Sequence, residues 1–200
     1  MTNSKVKLYN NLYNSTEKYL RNLQPMYRVI NASINFECKS FLDYGCGKSN
    51  LSDFFKKINK MQIYKYDPAI EIYSNIPKGL EVDLIANCDV LEHIPEQDID
   101  NVIKEMSLIS KNVFFNIYLT KATTILENGE NAHCTIKPIK WWIKKISKYY
   151  DFNTIIQNTY KNSVTIITWK ITSKEKIKIM LANIFNIYEH IFWNFKELIK

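Results

Sequence analysis

Apolar residues in this chain fall into short runs that alternate with longer segments of helical periodicity. The short runs are rich in Ile, Val, Phe and Tyr and end at Gly, Pro or polar residues, a pattern typical of strands. The last two runs follow each other closely enough to predict an antiparallel hairpin. The predicted strands are residues 40–45, 62–68, 82–88, 112–119, 151–160 and 163–172.

The longer segments place apolar residues three and four positions apart, which predicts helices. The first of them carries Val6, Tyr9, Leu12, Tyr13, Leu20 and Leu23 on one face, and Pro25 is expected to end it. Residues 69–80 are too few for a full helix and a full strand, so a reduced crossover is expected there. The predicted helices are residues 5–23, 51–60, 95–109, 139–149 and 174–200.

Alternating strands and helices predict right-handed crossovers and a mostly parallel sheet with helices on both faces. The chain is expected to form a single domain over residues 1–200, with an N-terminal helix region at 1–30, a core at 40–172 and a C-terminal helix at 174–200. A polar loop at 120–138 interrupts the core, and loops of this length are usually functional or disordered.

The C-terminal helix has a wide apolar surface. One stripe is predicted to face the core, and Ile187, Phe192 and Trp193 fall partly outside it. The extra apolar residues fit a wide buried face, a dimer contact or, with the neighbouring lysines, a contact with a membrane surface. The predicted core stripe consists of Ile177, Met180, Leu181, Ile184, Tyr188, Ile191, Phe195 and Leu198.

The composition is that of a globular protein, with 200 residues, 46% of them apolar and 24% charged. No apolar run reaches the roughly 18 residues needed to cross a bilayer, and the polar N-terminus lacks a signal-peptide pattern. The four cysteines, Cys38, Cys46, Cys88 and Cys134, show no CxxC spacing. A reduced, cytoplasmic protein is therefore the simplest expectation.

The formal charge of +7 is unevenly distributed, because residues 1–100 carry 12 basic and 13 acidic side chains and residues 101–200 carry 15 and 7. The basic second half favours an anionic substrate or surface. It also keeps nucleic acid open as a partner. Arginine is scarce, however, with Arg21 and Arg28 as its two occurrences. Because the planar guanidinium is the group suited to bidentate phosphate binding, this scarcity disfavours nucleic acid.

The segment FLDYGCGKSNLSDFF at 41–55 carries the clearest chemical signal, a glycine turn between a strand and a helix. Such turns hold nucleotides at helix N-termini. A phosphate-binding P-loop would need Gly at position 42, where Leu42 stands. A dinucleotide fingerprint would need Gly at position 50, where Asn50 stands. An S-adenosylmethionine site is the third interpretation.

Three motifs together resemble those of class I S-adenosylmethionine-dependent methyltransferases. LDYGCG is similar to the family's first motif, Asp67 in YKYDPAI stands where the family has its ribose-binding carboxylate, and CDVLEHI is similar to the motif after a later strand. The resemblance covers residues 40–172, and departs from the family after Asp67, where a third strand and its adenine-contacting acid are not found.

This resemblance implies a Rossmann-like sheet with a C-terminal antiparallel strand, extra N- and C-terminal helices, and an N-terminal helix over the cofactor. The cofactor would be S-adenosyl-L-methionine and the product S-adenosyl-L-homocysteine. Apart from the resemblance, Cys46 and Cys88 are expected to be small buried apolar side chains, because free cysteines usually have that role. The cofactor-binding residues implied are Asp43, Gly45, Cys46, Gly47, Asp67, Pro68, Cys88 and Asp89.

Two histidines follow strand ends and are candidates for catalysis. His93 lies just past one strand and His133 lies in the loop after the next, so both are expected at one crevice. A neutral imidazole can accept a hydroxyl proton as the methyl group is attacked. Asp-x-x-Glu-His at 89–93 also resembles the motif of metal-dependent O-methyltransferases, which implies a divalent metal on Glu92, His93 and His133 as a secondary expectation.

The expected function is methyl transfer from S-adenosylmethionine to a hydroxyl, or as second choice an amine, of a small polar acceptor such as a sugar or glycan intermediate. An RNA methyltransferase and a non-catalytic cofactor-binding or interaction module are the alternatives. Of Trp141 and Trp142, one is expected to pack on the sheet and the other to line the acceptor pocket.

Overall fold

The computed structural model describes residues 3–15, 22–151, 154–158 and 162–198. Its strands are β1 (Ser40–Tyr44), β2 (Gln62–Tyr66), β3 (Leu84–Cys88), β4 (Val113–Tyr118), β5 (Thr154–Asn158) and β6 (Ser163–Ile167). Its α-helices are α1 (Asn3–Ser15), α2 (Gln24–Ser33), α3 (Leu51–Asn59), α4 (Ile99–Ile109), α5 (Ile139–Ile146) and α6 (Ser173–Leu198). Short 3-10 helices occur at Glu71–Tyr73, Leu91–His93 and Glu96–Asp98.

The strands form one sheet in the order β2-β1-β3-β4-β6-β5. The first four strands are mutually parallel, and β6 runs antiparallel to both β4 and β5. The predicted α/β class, with a mostly parallel sheet and an antiparallel C-terminal strand, is confirmed. Because β1, β2 and β3 are parallel, their carboxyl ends meet at one edge of the sheet, the edge at which α/β proteins bind ligands.

Neighbouring residues of each central strand point to opposite faces, and each face has its own core. Leu42, Ile85 and Phe115 pack against α4 and α5 with the buried Trp142. Their neighbours Phe41, Leu84 and Phe114 pack on the other face, among side chains of α2, α3 and α6. This period of two over fully buried strands explains why their sequences are apolar almost without interruption.

The N-terminal region differs from its prediction. A single helix over 5–23 was expected to end at Pro25, but α1 ends at Ser15 and a second helix, α2, begins at Gln24. Pro25 lies in the first turn of α2, where proline is favoured because its missing N–H would have no partner inside the helix. Leu20 of the predicted stripe lies outside the described residues.

The crossover after β2 is reduced, as expected. Residues 67–83, all described, contain no strand and only the 3-10 helix Glu71–Tyr73 before β3 begins at Leu84. The strand that the resemblance implies after Asp67 is therefore absent from this part of the chain. The edge of the sheet next to β2 is left without the neighbour that would carry an adenine-contacting acid.

The predicted core stripe of the C-terminal helix is wrong, because its described members face away from the protein. Ile177, Met180, Leu181, Ile184, Tyr188 and Ile191 are all exposed. Ile179 is instead buried against the body of the protein. Periodicity locates an apolar face on a helix, but it carries no information about what that face meets. The side chains of Trp193, Phe195 and Leu198 lie outside the described ones.

Trp142 is fully buried on the sheet, as predicted for one of the two tryptophans. Trp141 does not line the pocket at the strand ends, because it lies beneath the ammonium groups of Lys137 and Lys145. None of the described helices is long and apolar enough to cross a membrane.

Candidate functional site

A pocket opens at the edge of the sheet where β1, β2 and β3 end. The eight residues predicted to bind a cofactor all line it, although they come from three separate segments of the chain. His93 lines the pocket as well, whereas His133 does not. The predicted residues in the wall are Asp43, Gly45, Cys46, Gly47, Asp67, Pro68, Cys88 and Asp89.

The glycine turn after β1 is held by backbone hydrogen bonds to β2. The N–H groups of Gly45 and Cys46 both donate to the Tyr66 carbonyl, at 2.7 and 3.0 Å. Gly45 has a φ of +79°, and a Cβ at this position would lie 2.5 Å from a methyl group of Val90. Both the backbone conformation and the close approach of Val90 therefore require glycine at position 45.

Asp67 connects the glycine turn to the end of β2. Its Oδ2 accepts a 2.9 Å hydrogen bond from the Gly47 N–H, and its Oδ1 accepts one of 2.9 Å from Ala69. Burial raises the pKa of the Asp67 carboxyl, and the N–H donors of Ala69 and Gly47 act in the opposite direction. Because a carboxylate has about four lone-pair sites, Asp67 keeps acceptor capacity for further donors in the pocket.

Asp43 is buried at the base of the glycine turn. Its Oδ2 accepts a 2.6 Å hydrogen bond from the Ser52 hydroxyl of α3. Removal from water raises the pKa of the Asp43 carboxyl to about 6, against the opposing effect of the Ser52 hydroxyl. An acid at this position lowers stability at neutral pH, because its charged form is buried.

Asp43→Asn should therefore stabilise the fold near pH 7.5. The folded state holds the Asp43 proton up to about pH 6, whereas the unfolded chain releases it near pH 4, so stability contributed by this group falls as pH rises through that window. A pKa difference of two units corresponds to about 3 kcal/mol in the free energy of unfolding. The altered hydrogen bond with Ser52 offsets part of this difference, so we expect the variant to be more stable by about 1–2 kcal/mol.

Urea unfolding of both proteins from pH 4 to pH 8 measures this effect. The advantage of Asp43→Asn should shrink at pH 4 to a small fraction of its value at pH 7.5, because the wild-type carboxyl is then protonated in the folded state and about half protonated in the unfolded chain. A constant difference between the proteins across this range would contradict the assigned burial of the charge.

The thiols of Cys46 and Cys88 lie in the pocket wall and are buried. Burial, together with the nearby Asp43 carboxylate, raises the pKa of both thiols. Both therefore stay protonated at neutral pH and fill space as small apolar side chains.

Asp89, His93 and His133 converge beyond the end of β3. The Nε2 atom of His93 lies 3.4 Å from Asp89 Oδ1, and Nε2 of His133 lies 3.6 Å from the same oxygen. The ligand atoms of these three residues all lie within 4.8 Å of one another, a group that could hold a metal ion. Asp89 has a φ of +62°, a strained conformation for a residue other than glycine, and such strain is concentrated at functional sites.

The contacts of the two Nδ1 atoms bear on which ring nitrogen of each histidine carries the hydrogen. His133 Nδ1 lies 2.5 Å from the Thr120 carbonyl oxygen, which can only accept, so this nitrogen carries the hydrogen. His93 Nδ1 lies 3.0 Å from the Ala132 carbonyl and 2.8 Å from the Tyr9 hydroxyl, so it either donates to the carbonyl or accepts from the hydroxyl, and these contacts allow both tautomers. The neutral His133 ring therefore turns its Nε2 lone pair toward Asp89, whereas Nε2 of His93 either donates to the Asp89 carboxylate or carries the lone pair.

Glu92 does not belong to this group, in contrast to the predicted metal set of Glu92, His93 and His133. Its carboxylate is fully buried and accepts a 2.6 Å hydrogen bond from the Tyr118 N–H of β4. The Glu92 side chain therefore links the segment after β3 to the end of β4. Asp89 takes its place beside the two histidines, with its Oδ1 3.4 Å from His93 Nε2 and 3.6 Å from His133 Nε2.

The N-terminal helix and the long loop cover the site together. Tyr9 of α1 packs with Leu126 and Ala132 of the loop, and its ring contacts the His93 ring edge-on at 5.6 Å. Tyr9 and Tyr13 both line the pocket, a role that the sequence interpretation missed. The available signal was two tyrosines one turn apart on a helix expected over the cofactor.

No family model matches this chain, and no curated protein does so at a significant level. Solved structures do resemble it. An O-methyltransferase family protein from Burkholderia thailandensis superposes with a TM-score of 0.55 at 10% identity, over 76% of this chain and 57% of its own length. This chain therefore spans less than two thirds of that relative.

Two further structures match more of their own length. The methyltransferase domain of bacterial CtHen1 gives a TM-score of 0.53 at 16% identity, over 74% of this chain and 98% of that domain. The second is the 1,6-didemethyltoxoflavin-N1-methyltransferase of Burkholderia thailandensis, solved with bound 1,6-didemethyltoxoflavin and S-adenosylhomocysteine. It gives a TM-score of 0.53 at 9% identity, over 75% of this chain and 78% of its own length. At these identities the similarity concerns the fold.

Proposed function

Because the chain has the fold of the class I S-adenosylmethionine-dependent methyltransferases, we propose that it transfers a methyl group from S-adenosylmethionine to a hydroxyl of a small polar acceptor. One observation carries the proposal. All eight residues of the three cofactor motifs, which are dispersed over residues 43–89, line a single pocket at the carboxyl ends of β1, β2 and β3.

The cofactor fits the polar groups of this pocket. The methionine part would lie over Gly47, in the place that the Tyr13 hydroxyl now takes, since a Cβ at position 47 would lie only 3.2 Å from it; Tyr13 would therefore shift as the ligand binds. Both ribose hydroxyls would donate to Asp67, which now accepts from Gly47, Ala69 and, at 3.5 Å, the Tyr13 hydroxyl. One ribose hydroxyl would take the free lone pair and the other would replace Tyr13. S-adenosylmethionine, when bound, supplies an electrophilic methyl group on a positively charged sulfur.

Catalysis would come mainly from holding the acceptor oxygen in line with the methyl carbon, because orientation of two reactants removes most of the entropic barrier. His93 is the group in the pocket wall with a basic nitrogen to accept the hydroxyl proton, at Nε2. His93 would take the hydroxyl proton as the acceptor oxygen receives the methyl group. Tyr9 and the Ala132 carbonyl would orient that imidazole through Nδ1, and the Asp89 carboxylate would offset its charge.

The same three side chains also fit a divalent metal ion, since a carboxylate and two Nε2 atoms converge on one point. In that case Asp89, His93 and His133 would hold the ion, which would lower the pKa of the acceptor hydroxyl and reduce the need for a base.

A sugar or glycan intermediate is the acceptor class that we favour, with an RNA hydroxyl as the alternative. The pocket wall carries more acidic than basic side chains, with Lys48 its lysine, and this suits an uncharged, hydroxyl-bearing acceptor better than a phosphorylated one. The scarcity of arginine disfavours RNA. Retention on heparin that falls steeply with salt would support the alternative, because phosphate contacts release counterions.

Asp67→Ala should weaken S-adenosylhomocysteine binding by about 1–3 kcal/mol, measured by calorimetry, because charge-assisted hydrogen bonds to the ribose would be lost. Asp83→Ala is the matched control. Asp83 also accepts backbone hydrogen bonds at a strand end, from Lys39 and Ser40, but lies outside the pocket wall.

The control should lose stability and keep the wild-type affinity. Equal affinities for wild type and Asp67→Ala would remove the ribose-binding role from Asp67.

A further inference from the structure

The outward face of α6 is apolar over most of its described length. At roughly 100° per residue, its exposed large apolar side chains form a continuous face about 160° wide. Each of them is between 50% and 64% exposed, which is far from the core burial that such residues normally have. We define this outward face as Ile177, Met180, Leu181, Ile184, Phe185, Ile187, Tyr188, Ile191 and Phe192.

The opposite side of α6 attaches the helix to the protein, so the outward face is fixed in orientation. Ile179 is buried in the core shared with α2. Asn186 Nδ2 donates to the Pro25 carbonyl at 3.1 Å, and the Arg28 guanidinium binds both carboxylate oxygens of Glu189, at 2.5 and 3.0 Å. A bidentate ion pair of this geometry sets the rotation of the helix about its axis.

Lysines lie at the N-terminal end of the outward face, and the described acidic side chains of α6 are engaged by other groups. On the helical projection Lys176 lies at one margin and Lys178 at the other, with Lys174 on the same side as Lys178. Glu175 is buried and accepts hydrogen bonds from Thr172, with Lys178 at 3.9 Å, and Glu189 is engaged by Arg28. Among described side chains of α6, the outward face thus combines apolar residues with positive charge.

From this arrangement we propose that the outward face of α6 docks on the surface of an anionic phospholipid bilayer. The apolar side chains would enter the boundary between headgroups and acyl chains, and the lysines at the margins would contact lipid phosphates. A second copy of the chain fits less well. In a parallel pairing its outward face would bring the same lysines against these, and like charges at an interface oppose association. In an antiparallel pairing the lysines would lie opposite the C-terminal part of the partner's helix, where Glu189 is already engaged by Arg28.

Co-sedimentation with lipid vesicles tests the proposal. The chain should pellet with vesicles of phosphatidylglycerol and phosphatidylcholine, and bind vesicles of phosphatidylcholine alone at least tenfold more weakly. The triple variant Lys174→Gln, Lys176→Gln, Lys178→Gln should weaken binding to the anionic vesicles about a hundredfold, at about fivefold for each charge removed.

Ile184→Asp combined with Ile191→Asp should abolish vesicle binding. Leu108→Asp is the matched control, because Leu108 is an exposed apolar residue on α4, away from the outward face. It should bind vesicles like the wild type, and circular dichroism should confirm that all variants fold.

Two results would overturn the proposal. One is a wild-type chain that stays in the supernatant with anionic vesicles. The other is a light-scattering mass of two copies that Ile184→Asp reduces to one, since the outward face would then bind a second chain. S-adenosylhomocysteine binding is measured separately and is expected to be unchanged in every one of these variants.

Discussion

Gly47→Val should reduce the affinity for S-adenosylhomocysteine by at least about a hundredfold. Gly47 has a φ of +47°, and a Cβ there would lie 3.2 Å from the Tyr13 hydroxyl and 3.9 Å from Asp67 Oδ2. The two methyl groups of valine would extend further, into the space proposed for the methionine part. A β-branched residue at positive φ adds backbone strain of about 1–3 kcal/mol, so the turn itself would also shift.

Gly79→Val separates these two causes. Gly79 has a φ of +72° and nothing within 4 Å of its Cβ position, so its substitution has comparable backbone strain without touching the pocket. Calorimetry should show wild-type affinity for the control, with reduced thermal stability. If Gly47→Val bound the ligand as well as Gly79→Val does, the cofactor would not lie over the glycine turn.

His93→Ala should lower kcat by about 100- to 10,000-fold while leaving the affinity for S-adenosylhomocysteine within a factor of about two or three. The range is that of a general base. The affinity is expected to hold because the proposed contacts of the cofactor are with Gly47 and Asp67, on other strand ends. The measurement is the rate of S-adenosylhomocysteine formation with an acceptor that the wild type methylates, found by screening sugars and glycan intermediates.

His133→Ala and EDTA distinguish a base from a metal. A base at His93 predicts that activity survives EDTA and that His133→Ala costs less than His93→Ala, because His133 does not line the pocket. A metal predicts that EDTA and both substitutions abolish activity, and that Mn²⁺ binds the wild type and not the variants. Activity that is indifferent to both substitutions would remove both roles from the histidines.

The sequence was sufficient to predict the sheet and to identify the three motifs that line the pocket. Buried strands such as Leu84–Cys88 are short, apolar and bounded by polar residues, so local composition identifies them. The glycine turn was identifiable because Gly45 meets a steric requirement that no other residue satisfies. In a parallel sheet the ends of β1, β2 and β3 meet at one edge, and this geometry predicts that three distant motifs share one pocket.

Other features depend on contacts that a local pattern does not contain. Proline is found both after the end of a helix and in the first turn of a helix. The sequence around Pro25 therefore did not show that a new helix, α2, begins there. The stripe on α6 was found, but its outward orientation follows from Arg28 and Glu189, which lie 161 residues apart. Asp89, rather than Glu92, joins the histidines because Glu92 turns to the Tyr118 N–H of a neighbouring strand.

A crystal structure of the chain with S-adenosylhomocysteine tests the central claim most directly. The claim predicts the ligand in the pocket at the ends of β1, β2 and β3, with both ribose hydroxyls within hydrogen-bond distance of Asp67, the methionine part over Gly47 and the sulfur facing the His93 side of the pocket. A ligand bound elsewhere, or a pocket that stays empty at saturating ligand, would contradict the proposal that this chain is a methyltransferase.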